Sequence, residues 1–268
     1  MSARRIPGAA IVLAAVMAAV MDFASAEPPS PAALRELAPT GRLRVTFILA
    51  NPVQVAKDPA SGELRGPAID LGRALAARLV VPFEPLGHAR AADIVASART
   101  DTWDIAFLAF DPARAGEVDF SPAYLEAHNM YLVPAGSGIS SFADADRPGV
   151  RIGVGERDAV DLYLTRTLKH AQLVRNGGGT SAALELLLSG KVDIYAANRQ
   201  RLDDLAVMLP GAHVLDGSVL AVQQAIALPK GRASGLAFVA AFVAEVKASG
   251  LVRQSIERAG LRGVTVSP

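Results

Sequence analysis

The chain has 268 residues, of which 51% are apolar and 20% charged, with no cysteine; it is too long for a disulfide-stapled miniprotein and too hydrophobic for a disordered chain. Its 27 Lys and Arg against 26 Asp and Glu leave a formal charge of +1, which argues against the strongly basic face of a nucleic-acid binder. Without cysteine there is no structural disulfide, thiolate metal site, cysteine nucleophile or lipidated N-terminal cysteine.

Residues 1–26 read as a targeting segment rather than as structure. Arg4 and Arg5 make a positive start, residues 9–21 form an uncharged apolar run about half the length a bilayer-spanning helix needs, and Ala24-Ser25-Ala26 supplies the small-x-small pattern a signal peptidase accepts. The expectation is a cleavable signal peptide, a mature chain beginning at Glu27, and a soluble, non-lipidated product in the periplasm.

Beyond a Pro-rich leader, short β-branched runs alternate with helical patterns, the signature of βαβ units and a largely parallel sheet. Residues 43–49 (LRVTFIL) predict the first strand. A turn-rich stretch leads to a helix over 69–79, with Ile69, Leu71, Leu75 and Leu79 on one side. Strands follow over 80–84 and 103–107, with a helix over 91–98 between them, and residues 131–133 predict another strand. The Pro, Gly and Ser punctuation at 134–138 is the best boundary in the chain. A second alternation then begins: strand 151–154, helix 159–170, a turn at Gly177-Gly178-Gly179, helix 181–189 and strand 193–197. After residues 219–228, the span 235–260 reads as one long amphipathic helix with a break at Gly250. No fixed-period repeat stands out. The fold class expected is α/β with two Rossmann-like lobes.

Three segments, in order, resemble the family 3 solute-binding proteins of ATP-binding-cassette (ABC) importers, the periplasmic receptors for polar amino acids. The first is Gly41-Arg42-Leu43-Arg44-Val45 with Gly62-Glu63-Leu64-Arg65-Gly66-Pro67-Ala68-Ile69-Asp70-Leu71. The second and most specific is Trp103-Asp104-Ile105-Ala106, then Asp111-Pro112-Ala113-Arg114, then Val118-Asp119-Phe120-Ser121-Pro122-Ala123-Tyr124. The third is Ser189-Gly190-Lys191-Val192-Asp193 running on to Asn198. The resemblance implies a type II periplasmic binding protein: lobe 1 from residues 40–133 plus 223–268, lobe 2 from 138–220, and two hinge crossings near 133–138 and 220–224. It also implies a small carboxylate-bearing ligand in the cleft at the carboxyl ends of strands, hinge closure around it, an inner-membrane ABC permease as partner, a monomer, and neither enzymatic activity nor a cofactor.

Arg114 stands where the family grips the ligand carboxylate, a task suited to a planar fork of donors whose charge persists at any relevant pH. Asp111 either holds Arg114 or caps the following turn. Phe107 and Ala109 occupy positions where the family offers polar contacts to the ligand ammonium, or Phe107 is simply core. Asn51 and Gln54 are polar candidates in the first loop. Asp158 leads a helix, as its N-cap or as a ligand contact. Asn198 replaces the aspartate that amino-acid receptors usually present to the α-ammonium, and asparagine cannot neutralise a cation. The expected ligand is therefore less cationic than a standard α-amino acid.

Other chemistry finds little footing. His88, His128, His170 and His213 have no recognised metal-ligand spacing, and the Gly177-Gly178-Gly179 turn lacks the Lys-Ser/Thr of a phosphate loop. The alternative functions are an enzyme resembling cyclohexadienyl dehydratases, with Asp161 near the position of its acid, and a sensor domain, which requires a further membrane-spanning or signalling segment.

Overall fold

The computed structural model describes residues 28–58 and 60–268; the targeting segment read over 1–26 lies outside them. The chain runs α1 (Pro31–Leu37), β1 (Leu43–Ile48), a short hairpin of β2 (Ala56–Lys57) and β3 (Leu64–Arg65), α2 (Pro67–Leu79), β4 (Phe83–His88), α3 (Ala91–Ala96), β5 (Ile105–Ala109), the single turn α4 (Pro112–Ala115) and the 16-residue β6 (Val118–Val133). It continues through α5 (Phe142–Ala145), β7 (Arg151–Gly155), α6 (Ala159–Thr167), β8 (Gln172–Asn176), α7 (Gly179–Leu188), β9 (Ile194–Asn198), α8 (Arg199–Met208), β10 (His213–Val214) and β11 (Leu220–Pro229). It closes with α9 (Ala233–Ala248), α10 (Leu251–Arg258) and β12 (Val264–Val266).

The strands lie in the order β4-β1-β5-β11-β6-β9-β7-β8, with β10 and β12 also on β6. Two parallel blocks result: β4, β1 and β5 in one half, β8, β7 and β9 in the other. Antiparallel β11 and β6 join them. Each half has its own apolar core. In the first, Phe47, Ile69, Leu75 and Phe107 are covered by Phe242, Val243 and Val246 of α9, so the C-terminal helices return to the N-terminal half. In the second, Ile152, Val154, Leu164 and Ile194 fill one face of the sheet, and Leu187, Tyr195 and Leu202 the other. This is the mixed α/β architecture the alternation predicts.

The details that differ have local causes. β6 pairs with β11 and β12 up to Asn129, then with β9 and β10 as far as Val133. The passage between the halves thus lies inside β6, upstream of the punctuation at 134–138. Pro122 hides this strand from a sequence reading, because proline cannot donate to a ladder. The sheet absorbs it with a register shift against Ala225 to Ala227, where the Ile226 N–H is accepted at 3.0 Å by the Ser121 hydroxyl oxygen. β4 starts at Phe83 rather than at residue 80, since Val80 is the left-handed C-cap of α2 (φ 57°). The span 235–260 is two helices divided at Gly250, whose φ of 78° ends α9 and starts α10 with a bend of 68°. Among the described residues no single helix is long and apolar enough to cross a membrane.

Candidate functional site

The loops after β1, β5, β7 and β9 converge at the carboxyl ends of those strands, between the two halves, where open α/β sheets bind their ligands. Asn51 and Gln54 follow β1, Arg114 follows β5, Asp158 follows β7, and Asn198 and Arg201 mark the step from β9 into α8; all line one cavity. Gln224 and Asn129 of the two linking strands form its floor, with Gln54 Nε2 donating to Gln224 Oε1 at 3.2 Å.

Arg114 is buried, with 6% of its surface exposed. Pro112 at the start of α4 and the Asp111 cap fix this turn: Asp111 Oδ1 accepts the Ala113 N–H at 2.8 Å. The guanidinium donates to two carbonyl oxygens, Ala109 O at 2.8 Å and Arg157 O at 2.7 Å. Neither is charged, and three of its five N–H groups have no protein acceptor among the described residues. Burial pushes the Arg114 guanidinium below its ordinary value, while the Asp158 and Asp111 carboxylates work in the opposite direction.

Arg201 is the residue the sequence reading missed. It is 4% exposed, donates from Nη1 to Asp158 Oδ2 at 3.2 Å and from Nη2 to Ala50 O at 2.8 Å, and its Nε is buried without a partner. The two arginines mirror one another, since Arg114 reaches from the first half to a carbonyl of the second and Arg201 reaches back. Its signal was the i to i+3 spacing from Asn198, which puts both on the first turn of a helix. That helix, α8, is charge-rich and lacks a long apolar stripe, although Leu202 and Leu205 are fully buried.

Of the other expected site residues, Asn198 caps α8: its Oδ1 accepts the Arg201 N–H at 3.0 Å. Nδ2 lies 3.5 Å from Asn51 Oδ1 across the cleft. Asp158 occupies the N-cap position of α6 but makes no capping bond; its carboxylate turns into the cavity. That placement depends on Gly155, where a Cβ would stand 2.4 Å from Asp158 Oδ2. Asp111 turns out of the cavity to Arg166 of α6, at 3.0 Å. Phe107 points into the core, edge-on to Tyr124 with ring centroids 5.5 Å apart. As part of a buried strand it offers nothing to a ligand. Asp161 is also away from the cavity, and its carboxylate accepts the Arg157 N–H at 2.7 Å, the Thr165 hydroxyl and Arg175 Nε. Together with Arg114 it holds the Arg157 peptide from both sides, fixing that residue in the left-handed region (φ 59°).

The site therefore holds two buried guanidiniums against one carboxylate, with amide donors between them.

A family model described as bacterial extracellular solute-binding proteins, family 3, matches residues 44–260. No curated protein matches the chain. Among solved structures it is similar to a mutant of ArgBP from T. maritima, at 22% identity and a TM-score of 0.73 over 85% of this chain and 99% of that one. It is also similar to an amino acid ABC transporter substrate-binding protein from Streptococcus pneumoniae bound to L-arginine, at 20% identity and a TM-score of 0.72 over 88% and 99%. A third is an ancestral amino acid-binding protein that is a precursor of cyclohexadienyl dehydratase, at 25% identity and a TM-score of 0.69 over 84% and 97%.

Proposed function

The chain belongs to the bacterial extracellular solute-binding proteins, family 3, and from that premise we propose that it is a periplasmic receptor that captures a small carboxylate-bearing solute and presents it to an ABC permease. The observation that carries this reading is Arg114, a buried guanidinium that lines the cavity with its charge opposed only by neutral carbonyls at hydrogen-bond distance. A carboxylate offers such a fork two parallel charge-assisted hydrogen bonds. The halves act as two lobes that close by hinge motion in β6 and β11, and contacts made by the solute to both sides favour the closed form.

Binding rather than catalysis is favoured by the carboxylates. Asp161, the candidate acid of a dehydratase-like enzyme, is committed to three donors outside the cavity. Asp158, the carboxylate inside, is paired with Arg201. The same balance argues against a cationic side chain like that of the L-arginine held by the Streptococcus pneumoniae protein, because it would meet two guanidiniums in a site of low dielectric.

Isothermal calorimetry on wild type and Arg114→Gln, with each amino acid tested beside its deaminated acid, tests the receptor reading. Removing one partner of a desolvated charge-assisted pair costs about 2–5 kcal/mol, or roughly 30-fold or more in affinity. The expected result is that loss in a variant that thermal melts show to be folded; unaltered affinity would remove Arg114 from the site. The export half of the proposal is checked separately. Intact mass of the periplasmic species is expected to begin at Glu27, and a full-length mass in the membrane fraction contradicts it.

A further inference from the structure

We infer that Arg201 is a second anion-binding group of the cleft, so that the solute carries two carboxylates, one on Arg114 and one on Arg201. The inference rests on the receptor reading above and extends it from one anionic group to two.

Three observations lead here. First, Arg201 is as buried as Arg114 and lines the same cavity, yet its Nε has no partner and only two of its five N–H groups are engaged. Leaving buried charged donors unpaired is costly, and a neutral donor would suffice to hold the Ala50 carbonyl. Second, its counter-ion is shared: Asp158, 3.2 Å from Arg201 Nη1, lines the same cavity as Arg114 and opposes its charge more strongly than Asp111 does. Asp111, the other carboxylate acting on Arg114, is already bound to Arg166. One carboxylate thus serves two guanidiniums. Third, the amide beside Arg201 turns a donor into the cleft: Asn198 Oδ1 accepts the N–H that caps α8, and its Nδ2 points across to Asn51 Oδ1.

The chemistry that completes this site is a short dicarboxylate, its two ends on the two arginines. Asp158 is the acceptor for a single amine on such a molecule, so both an amino-dicarboxylate and a plain dicarboxylate are compatible with the two anion contacts. In either case a dicarboxylate would bridge Arg114 of one half and Arg201 of the other, which makes the second carboxylate a closing contact as well as a specificity contact.

The test compares dicarboxylates with their monoamides by calorimetry: L-aspartate with L-asparagine, L-glutamate with L-glutamine, succinate with succinamate, glutarate with glutaramate. The wild type is expected to bind at least one dicarboxylate roughly 30-fold or more tightly than its monoamide. Which pair binds distinguishes the aminated from the plain class. In Arg201→Gln, and in Arg201→Lys as a second variant that keeps the charge but loses the fork, the preference is expected to collapse toward unity in the first and fall partway in the second. Thermal melts of the unliganded variants establish that both are folded. Equal binding of dicarboxylates and monoamides, a ratio unchanged in Arg201→Gln, or no binding of any dicarboxylate by the wild type overturns the inference. Arg114→Gln separates the two readings: if it weakens dicarboxylate and monoamide alike while Arg201→Gln changes nothing, the receptor reading stands and the second anion contact falls.

Discussion

At Asn198 one side chain serves both a helix and a ligand cleft, and its two ends divide the work. The carbonyl oxygen caps α8 and the amide nitrogen faces Asn51. Asn198→Ala removes a cap, which typically costs about 1 kcal/mol of stability, and urea unfolding is expected to show a loss of that size. Asn198→Asp keeps the cap, since aspartate is as good an N-cap as asparagine, but places a second carboxylate beside Arg201. Stability is then expected to hold, while affinity for an anionic solute falls about tenfold, equivalent to roughly 1.4 kcal/mol. A variant that binds the anion unchanged would show that Asn198 lies outside the solute's reach. The same residue shows how far sequence goes: the position was singled out as a candidate and it does line the cavity, but its use as a cap was not legible, because that required recognising α8.

At the scale of elements, each half carries the same internal clamp, so the device is used twice. Arg44, the second residue of β1, grips Asp104 just before β5, through its backbone N–H, Nε and Nη2, with Nη1 on the carbonyl of Asp101. Arg151 opens β7 and grips Asp193 just before β9 in the same pattern, with Nη1 on the carbonyl of Gly190. Each clamp sets two neighbouring parallel strands in register, and it is this register that brings the loops at their far ends to the cavity. The echo escaped a search for fixed-period repeats because the intervening loops differ in length. The clamps differ in burial. Asp104 has no exposed side-chain surface and also receives Arg232. Breaking a buried pair by removing one partner costs about 3–5 kcal/mol, so Asp104→Asn is expected to lose about 3 kcal/mol in urea unfolding, and Asp193→Asn clearly less because its partner is solvated. The second clamp has its own pH signature. The side-chain bond from Arg151, reinforced by the Arg151 backbone N–H and opposed by partial burial, holds the Asp193 carboxyl below its ordinary range. A carboxyl whose value is lowered by folding contributes stability that is complete above its unfolded value, about 3.9, and is lost as pH falls through the lower folded value. Asp193→Asn is therefore expected to flatten the decline in the urea midpoint below about pH 4, and an acid limb identical to wild type would contradict the assignment.

For the whole molecule, the proposed hinge closure would draw on contacts that already cross the cleft without any solute. The reciprocal arginines are two of them, and the Asp111–Arg166 pair at 3.0 Å is a third, with Asp111 almost entirely buried and Arg166 half exposed. Arg166 lies outside the cavity. Its removal loosens the closed arrangement without touching the solute contacts, so the closed form must be restored at the expense of binding energy. A loss of about 1 kcal/mol, appropriate to a partly exposed pair, corresponds to roughly fivefold weaker binding. Arg166→Ala is expected to show that change by calorimetry, together with a larger radius of gyration of the unliganded protein by small-angle X-ray scattering. Unchanged dimensions and affinity would mean that the pair is a surface ornament of two halves held together by other means.

Periodicity and punctuation in the sequence determined the α/β alternation, because it depends on neighbours within a few residues, whereas Arg114 was marked only by the resemblance of its turn to the family's motif. The long linking strand was not legible: Pro122 breaks its local pattern, and the register shift that accommodates it rests on the Ile226 N–H of β11, about a hundred residues away, which the Ser121 hydroxyl oxygen accepts. The charge of the cleft was likewise decided in three dimensions. Asp158 became a cavity carboxylate instead of a cap because Gly155 leaves room for it. Asp111 left the cavity because Arg166 of another helix claims it, and Arg201 entered because α8 begins at the mouth of the cleft. Local sequence encodes which backbone element forms, whereas a side chain's role in a cleft is set by partners from distant segments, and only the folded chain brings those together.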